Sequence, residues 1–170
     1  MIAETLRNNE TAILVIYTGG TIGMKEDPEI QALRPFDFSQ ILGEVPELAK
    51  FAYKIDSYTF DPLIDSSDVE PSLWVSLAKL IESRYADYDG FVILHGTDTM
   101  AYSASVLSFM LEGLTKPVIF TGSQLPIGVP RTDGKENLIS AVEIAAAKDR
   151  DGHAIVPEVC IYFDNVLIRG

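Results

Sequence analysis

Two segments of this 170-residue sequence combine hydroxyl groups with glycine in a way that could do chemistry: Thr18-Gly-Gly-Thr-Ile-Gly23 and His95-Gly-Thr-Asp-Thr99. Paired glycines let a backbone turn sharply and let a ligand approach it closely. A threonine hydroxyl beside them is a weak nucleophile, which needs a neighbouring base or a group that relays its proton. Thr97 and Asp98 offer a second hydroxyl and a carboxylate. From spacing alone the same threonines could equally cap turns through local side-chain-to-backbone bonds.

Other chemistries fit less well. A Ser-His-Asp system needs a histidine base, and the sequence has two, His95 and His153. His153 lies in a polar stretch after Asp149. His95 precedes a glycine at a strand end, where a hydrogen-bonded structural histidine is expected. No G-x-S-x-G elbow is present. Metal binding lacks a third ligand at suitable spacing from His95 and Asp98. The single cysteine, Cys160, reads as a small buried hydrophobe and excludes an internal disulfide. Phosphate binding is the stronger rival, but Gly19-Gly20-x-x-Gly23 lacks the dinucleotide spacing and no Walker lysine follows. No metal or cofactor is expected.

The elements that must position these residues follow from hydropathy patterning. Thr11 to Tyr17 is a short, apolar, β-branched run, as in a strand buried on both faces. The polar stretch from Lys25 to Pro35 reads as an exposed loop able to act as a lid. Asp37 with Gln40 resembles a capping box for a short helix ending near Gly43. A strand is expected over Ala52 to Phe60, then a loop from Asp61 to Val69. Pro71 suits the first turn of a helix, along which Trp74, Leu77, Ala78, Ile81 and Tyr85 recur at helical spacing. Phe91 to Leu94 predicts a strand, Met100 to Leu111 a helix stopped near Gly113, and Val118 to Phe120 a strand. Asp133 with Glu136 predicts the cap of a helix running to about Lys148. Val159 to Phe163 predicts a strand, followed by a tight turn at Asp164-Asn165 into Val166 to Ile168. This alternation indicates a three-layer α/β/α fold with a mostly parallel sheet. Ligands of such sheets bind beyond the carboxyl ends of the strands, which gathers Thr18–Gly23, His95–Thr99 and Thr121-Gly-Ser-Gln124 on one rim.

Composition bounds the partners. With 13 Lys plus Arg against 25 Asp plus Glu the formal net charge is −12, which opposes nucleic acid and anionic membrane surfaces. Apolar residues make up 47% and charged residues 22%, as in an ordinary globular domain. The longest apolar run, Ala12 to Tyr17, is far short of the ~20 residues of a membrane helix. Met1 to Glu10 carries no apolar signal core. A cytoplasmic location is expected, with a flexible segment 1–10 and one domain over 11–170.

The rim segments resemble the signature motifs of the bacterial-type L-asparaginases. Thr18-Gly-Gly-Thr-Ile-Gly23 is similar to the N-terminal signature, and Gly90-Phe-Val-Ile-Leu-His-Gly-Thr-Asp-Thr-Met100 to the second. Asp65-Ser-Ser-Asp68, Lys116-Pro-Val, Thr121-Gly-Ser-Gln124, Asp133-Gly and Asn137-Leu138 continue the likeness, which runs from Thr11 to Gly170 and leans to the cytoplasmic type I enzymes. The resemblance implies that Thr21 is the primary nucleophile and Thr97 the second catalytic threonine. It implies that Asp98 holds the substrate's α-ammonium, and that Asp65, Ser66 and Ser67 belong to the loop binding the amino-acid head group. The implied substrate is L-asparagine and the implied assembly a homo-oligomer.

Two departures accompany the likeness. The family's lid carries a tyrosine, and none occurs from Lys25 to Pro35. In the family a smaller second domain follows, with a catalytic lysine a few residues beyond the point that Gly170 matches, so these 170 residues alone are expected to be nearly inactive. Lys148 does not replace that lysine: a helix of some 15 residues would carry it roughly 20 Å from the rim, where the helix dipole favours a last-turn lysine. Two other readings are a non-catalytic small-ligand-binding domain and the asparaginase-like subunit of a tRNA-dependent amidotransferase. The latter is expected to carry a further domain before the first motif, and ten residues precede Thr11.

Overall fold

The computed structural model describes residues 10–27, 32–35 and 41–170. Six strands form one sheet: β1 (Thr11–Tyr17), β4 (Tyr53–Thr59), β5 (Gly90–Leu94), β6 (Val118–Thr121), β7 (Val159–Phe163) and β8 (Val166–Arg169), in the order β4-β1-β5-β6-β7-β8. Five run parallel, and β8 returns antiparallel to β7 at the edge. The turn between β7 and β8 places Asp164 and Asn165 at φ 47° and 62°, the left-handed pair that matches strand twist in a two-residue hairpin.

Helices cover both faces. Along β1, Ile13, Val15 and Tyr17 point into one cluster with Val92, Leu94 and, from α4 (Gly134–Ala146), Leu138, Ala141 and Val142. Leu14 and Ile16 point into the other, with Phe91, Phe120, Leu73 and Leu77 of α2 (Pro71–Arg84), and Ala104 and Leu107 of α3 (Met100–Met110). Because successive strand residues face opposite sides, a strand apolar at every position is what a sheet covered on both faces requires. The expected three-layer α/β architecture is therefore present.

Three local expectations are corrected. The stretch from Lys25 to Pro35 is not simply a loop: β2 (Met24–Asp27) and β3 (Ala32–Pro35) pair antiparallel, Met24 opposite Pro35. Backbone pairing needs no apolar periodicity, so the polar composition concealed it. Within the stretch from Asp61 to Val69, Ser66–Asp68 forms one 3-10 turn capped by the Asp65 carboxylate, which accepts from the Ser67 amide. Lys148 is not a last-turn residue, since α4 ends at Ala146 with Ala147 extended. Its ammonium pairs with Asp89 at 2.8 Å, just before β5 and at the opposite end of that strand from Thr97. Asp37, Gln40 and nine of residues 1–10 lie outside the described residues, although a short helix, α1, does occupy Ile41–Glu44.

Candidate active site

Strand register brings the rim together. Tyr17 stands opposite Thr59 on one side and Leu94 on the other, and Leu94 stands opposite Thr121. The chain therefore leaves the sheet at one level after β1, β4, β5 and β6. From β1 it passes first to β4 on one side and later to β5 on the other, so strand order reverses beside β1, where a crevice opens in such sheets.

A cleft of about 350 Å³ lies there, lined among others by Gly20, Thr21, Asp65, Ser66, Thr97 and Asp98. Five of the six residues singled out from the sequence thus share one concavity. Ser67 is not among the lining residues. It is exposed, and its amide and hydroxyl both donate to Asp65 Oδ1 at 2.9 Å. Those bonds, the amide's first, hold the Asp65 carboxyl below the usual range.

Close backbone approach makes the cleft possible. A Cβ on Gly20, at φ +94°, would lie 2.7 Å from the Gly96 nitrogen, and a Cβ on Gly96 would lie 2.4 Å from Ser66 Oγ. Any larger residue at either position would push the three segments apart. Ser66, itself buried, donates to Asp98 Oδ2 at 2.7 Å, while Thr99 Oγ1 donates to the Ser66 carbonyl at 2.7 Å. The exposed Asp98 carboxylate is thereby aimed, with one oxygen partly satisfied and capacity left for a cation.

The threonines divide by role. Thr18 is buried and spends its hydroxyl on the Leu94 carbonyl at 2.9 Å, the local structural use that spacing alone could not exclude. Thr21 lines the cleft, and among the described residues no hydrogen bond reaches its hydroxyl. Thr97 Oγ1 receives the Gln124 side-chain amide at 3.4 Å. No side-chain base among the described residues is bonded to either.

Sequence reasoning missed the supports behind the rim. Asp133 stands at the N-cap of α4, but its side chain makes no capping bond there. Its carboxylate accepts from the amides of Gln124 (2.8 Å) and Leu125 (3.0 Å), fixing the third rim segment, and Thr132 Oγ1 instead accepts from the Gly134 amide at 2.9 Å. A buried chain underlies Thr97: Trp74 Nε1 donates to Ser103 Oγ at 2.9 Å, Ser103 Oγ lies 3.0 Å from His95 Nε2, and His95 Nδ1 lies 2.7 Å from the Gly96 carbonyl. An indole N–H can only donate and a carbonyl can only accept, so the ring carries its proton on Nδ1. His95 is 1% exposed. Burial lowers its pKa, against the Gly96 bond, and it is the structural histidine that its position suggested. Cys160 is buried as expected, and burial raises its thiol pKa.

For a metal, Asp149, Asp151 and His153 bring three donor atoms within 4.8 Å, but all are exposed and one Asp149 oxygen already accepts from the amides of Asp151 and His153. Among the described residues no helix is long and apolar enough to cross a membrane.

Comparison with known proteins shows the family to which this fold belongs. The chain is 47% identical over 162 residues to L-asparaginase 1 of Escherichia coli K12, covering 94% of this chain and 46% of that protein. It is 41% identical over 184 residues to the 60 kDa lysophospholipase of Mus musculus, covering 95% of this chain and 31% of that one. The crystal structure of L-asparaginase I from Vibrio cholerae superposes with a TM-score of 0.83 at 44% identity, again over 94% of this chain and 46% of the other. The chain thus spans about half the length, or less, of these relatives. A family model described as "Asparaginase, N-terminal" matches residues 12–170, and the chain belongs to that family.

Proposed function

We propose that these residues form the nucleophile-bearing half of an amidohydrolase that converts L-asparagine to L-aspartate and ammonia. The observation that carries this reading is the convergence of Thr21, Thr97, Asp98, Ser66 and Asp65 on one cleft at the switch point of the sheet. The Asp98 carboxylate, aimed by Ser66, suits the substrate's α-ammonium. The 65–67 loop, whose Asp65 and Ser66 line the same cleft, is the seat assigned to the rest of the amino-acid head group.

The chemistry has two steps. The Thr21 oxygen adds to the side-chain amide carbon, the C–N bond breaks, and the nitrogen leaves as ammonia carrying the proton lost by the hydroxyl. Water then adds to the aspartyl-threonine ester, the C–O bond to Thr21 breaks, and aspartate leaves. Thr97 acts beside the attacked carbon. The reading includes a homo-oligomer in the cytoplasm and no nucleic-acid or membrane partner, the last in keeping with a net charge of −12.

The test is ammonia release by the full-length protein from asparagine, with fatty-acid release from a lysophospholipid as the comparison. Wild-type turnover of asparagine, its abolition by Thr21→Ala, and an aspartyl adduct on the peptide containing Thr21 are expected. Hydrolysis that persists in Thr21→Ala, or is confined to lysophospholipid, would overturn the proposal.

A further inference from the structure

The turn that carries Thr21 is short, and one buried side chain holds it from both ends. Tyr17 is the last residue of β1 and has no solvent exposure. Its hydroxyl donates to the Gly20 carbonyl at 3.0 Å, fixing the peptide that leads into Thr21. Its ring fills the space next to Gly23: a Cβ there would lie 2.2 Å from the ring carbon that bears the hydroxyl. Thr21 and Ile22 are the two residues between these contacts, and Ile22 is itself wholly buried, its carbonyl accepting from the Ile127 amide at 3.2 Å. A three-residue 3-10 turn has little cohesion of its own. The position of its first side chain therefore depends on what brackets it.

We infer that Tyr17 is the positioning residue of Thr21: its hydroxyl anchors Gly20, its ring seats Gly23, and together they hold the Thr21 hydroxyl in the cleft. This deepens the amidohydrolase reading and rests on it. A nucleophile displaced by a fraction of an ångström loses rate while the rest of the site still binds. Tyr17 touches neither substrate nor reacting atoms in this role. Burial also pushes its phenol up to about 12, so the hydroxyl keeps its proton, and the donor role, throughout the physiological range.

The experiment uses the full-length protein and three substitutions. Tyr17→Phe removes only the hydroxyl. Gly23→Ala leaves Tyr17 in place but drives a methyl against both its ring and its hydroxyl oxygen, 2.5 Å from where the Cβ would lie. Tyr88→Phe removes a comparable phenol hydrogen bond, from the Tyr88 hydroxyl to Asp56 Oδ2 at 2.9 Å, beside the end of β5 opposite Thr97. In Tyr17→Phe and Gly23→Ala, kcat should fall about tenfold or more with KM for asparagine within about twofold. Tyr88→Phe should lower Tm to a similar degree and leave kcat in place. The γ-methyl NMR signal of Thr21 should shift or broaden in the first two variants only. This last readout needs no turnover, so it judges the positioning role even if wild-type protein fails to hydrolyse asparagine and the amidohydrolase reading falls. An unchanged Thr21 signal in Tyr17→Phe would overturn the inference, as would a loss of kcat that merely tracks Tm across all three variants.

Discussion

Asp98 is exposed, yet it is held by a buried hydroxyl, and that combination sets what its loss should do. A hydrogen bond to a charged group contributes ~1.5–3 kcal/mol, and each 1.4 kcal/mol is tenfold in affinity. Asp98→Asn should therefore raise KM for asparagine about 10–100-fold. Ser66→Ala, which frees the carboxylate without removing it, should raise KM by about tenfold or less. Steady-state kinetics of both variants in the full-length protein check the ranking, and a larger effect for Ser66 than for Asp98 would contradict it. For the two threonines the prediction concerns additivity. Residues that act as a unit show losses far short of multiplicative. With Thr21→Ala and Thr97→Ala each severely impaired, the double variant should be little worse than either. Single-turnover rates that multiply would separate their roles.

At the scale of elements, His95 links the end of β5 to α3 through Ser103 and to α2 through Trp74. The ring is buried in its neutral form, with its pKa depressed below 6.5, foremost by burial. Above about 6.5 neither folded nor unfolded chain protonates this group, and its contribution is fully present. As pH falls below 6.5 the unfolded chain takes up the proton first, so stability declines until the folded pKa is reached. The groups whose carboxyl pKa is held down, Asp56, Asp65, Asp89 and Asp149, start from 3.8 and act below that value, in a separate window. Tm should therefore drop as pH falls below 6.5, by ~2–4 °C for each kcal/mol lost in a domain of this size. Asn at position 95 keeps a donor near the Gly96 carbonyl and cannot titrate, so His95→Asn should flatten that limb. Calorimetry across this range decides, and an equal slope in the variant would assign the decline to other groups.

For the molecule as a whole, the relatives are about twice as long, and no described side-chain base is bonded to Thr21 or Thr97. General acid–base groups typically contribute 10²–10⁴-fold. Ammonia release by residues 1–170 alone should accordingly be slower, by a factor on the order of 10² or more, than by a chain of the relatives' length that begins with these residues. Assays at matched concentration measure the ratio. Comparable rates would mean that the described cleft is already complete and that the proton path runs through residues given only structural roles above.

Local patterns carried much of this protein. The apolar run Thr11–Tyr17 determined a strand buried on both faces, because neither face of such a strand tolerates water. The alternation of strands and helices determined the parallel α/β class, and with it the rim that carries Thr21, Thr97 and Asp98. What pattern could not determine was which polar group meets which. Asp133 has the spacing of a helix cap yet binds the Gln124–Leu125 turn, because that turn's amides lie closer once α4 packs on the sheet. Thr18 and Thr21 read alike in sequence, and only strand register gives one to the Leu94 carbonyl and the other to the cleft. The β2–β3 pairing uses backbone groups that every residue possesses. Hydropathy is a property of each side chain and survives in the sequence. Hydrogen-bond partnership between residues such as Ser66 and Asp98 is a property of distance, and distance is decided only when the chain closes on itself.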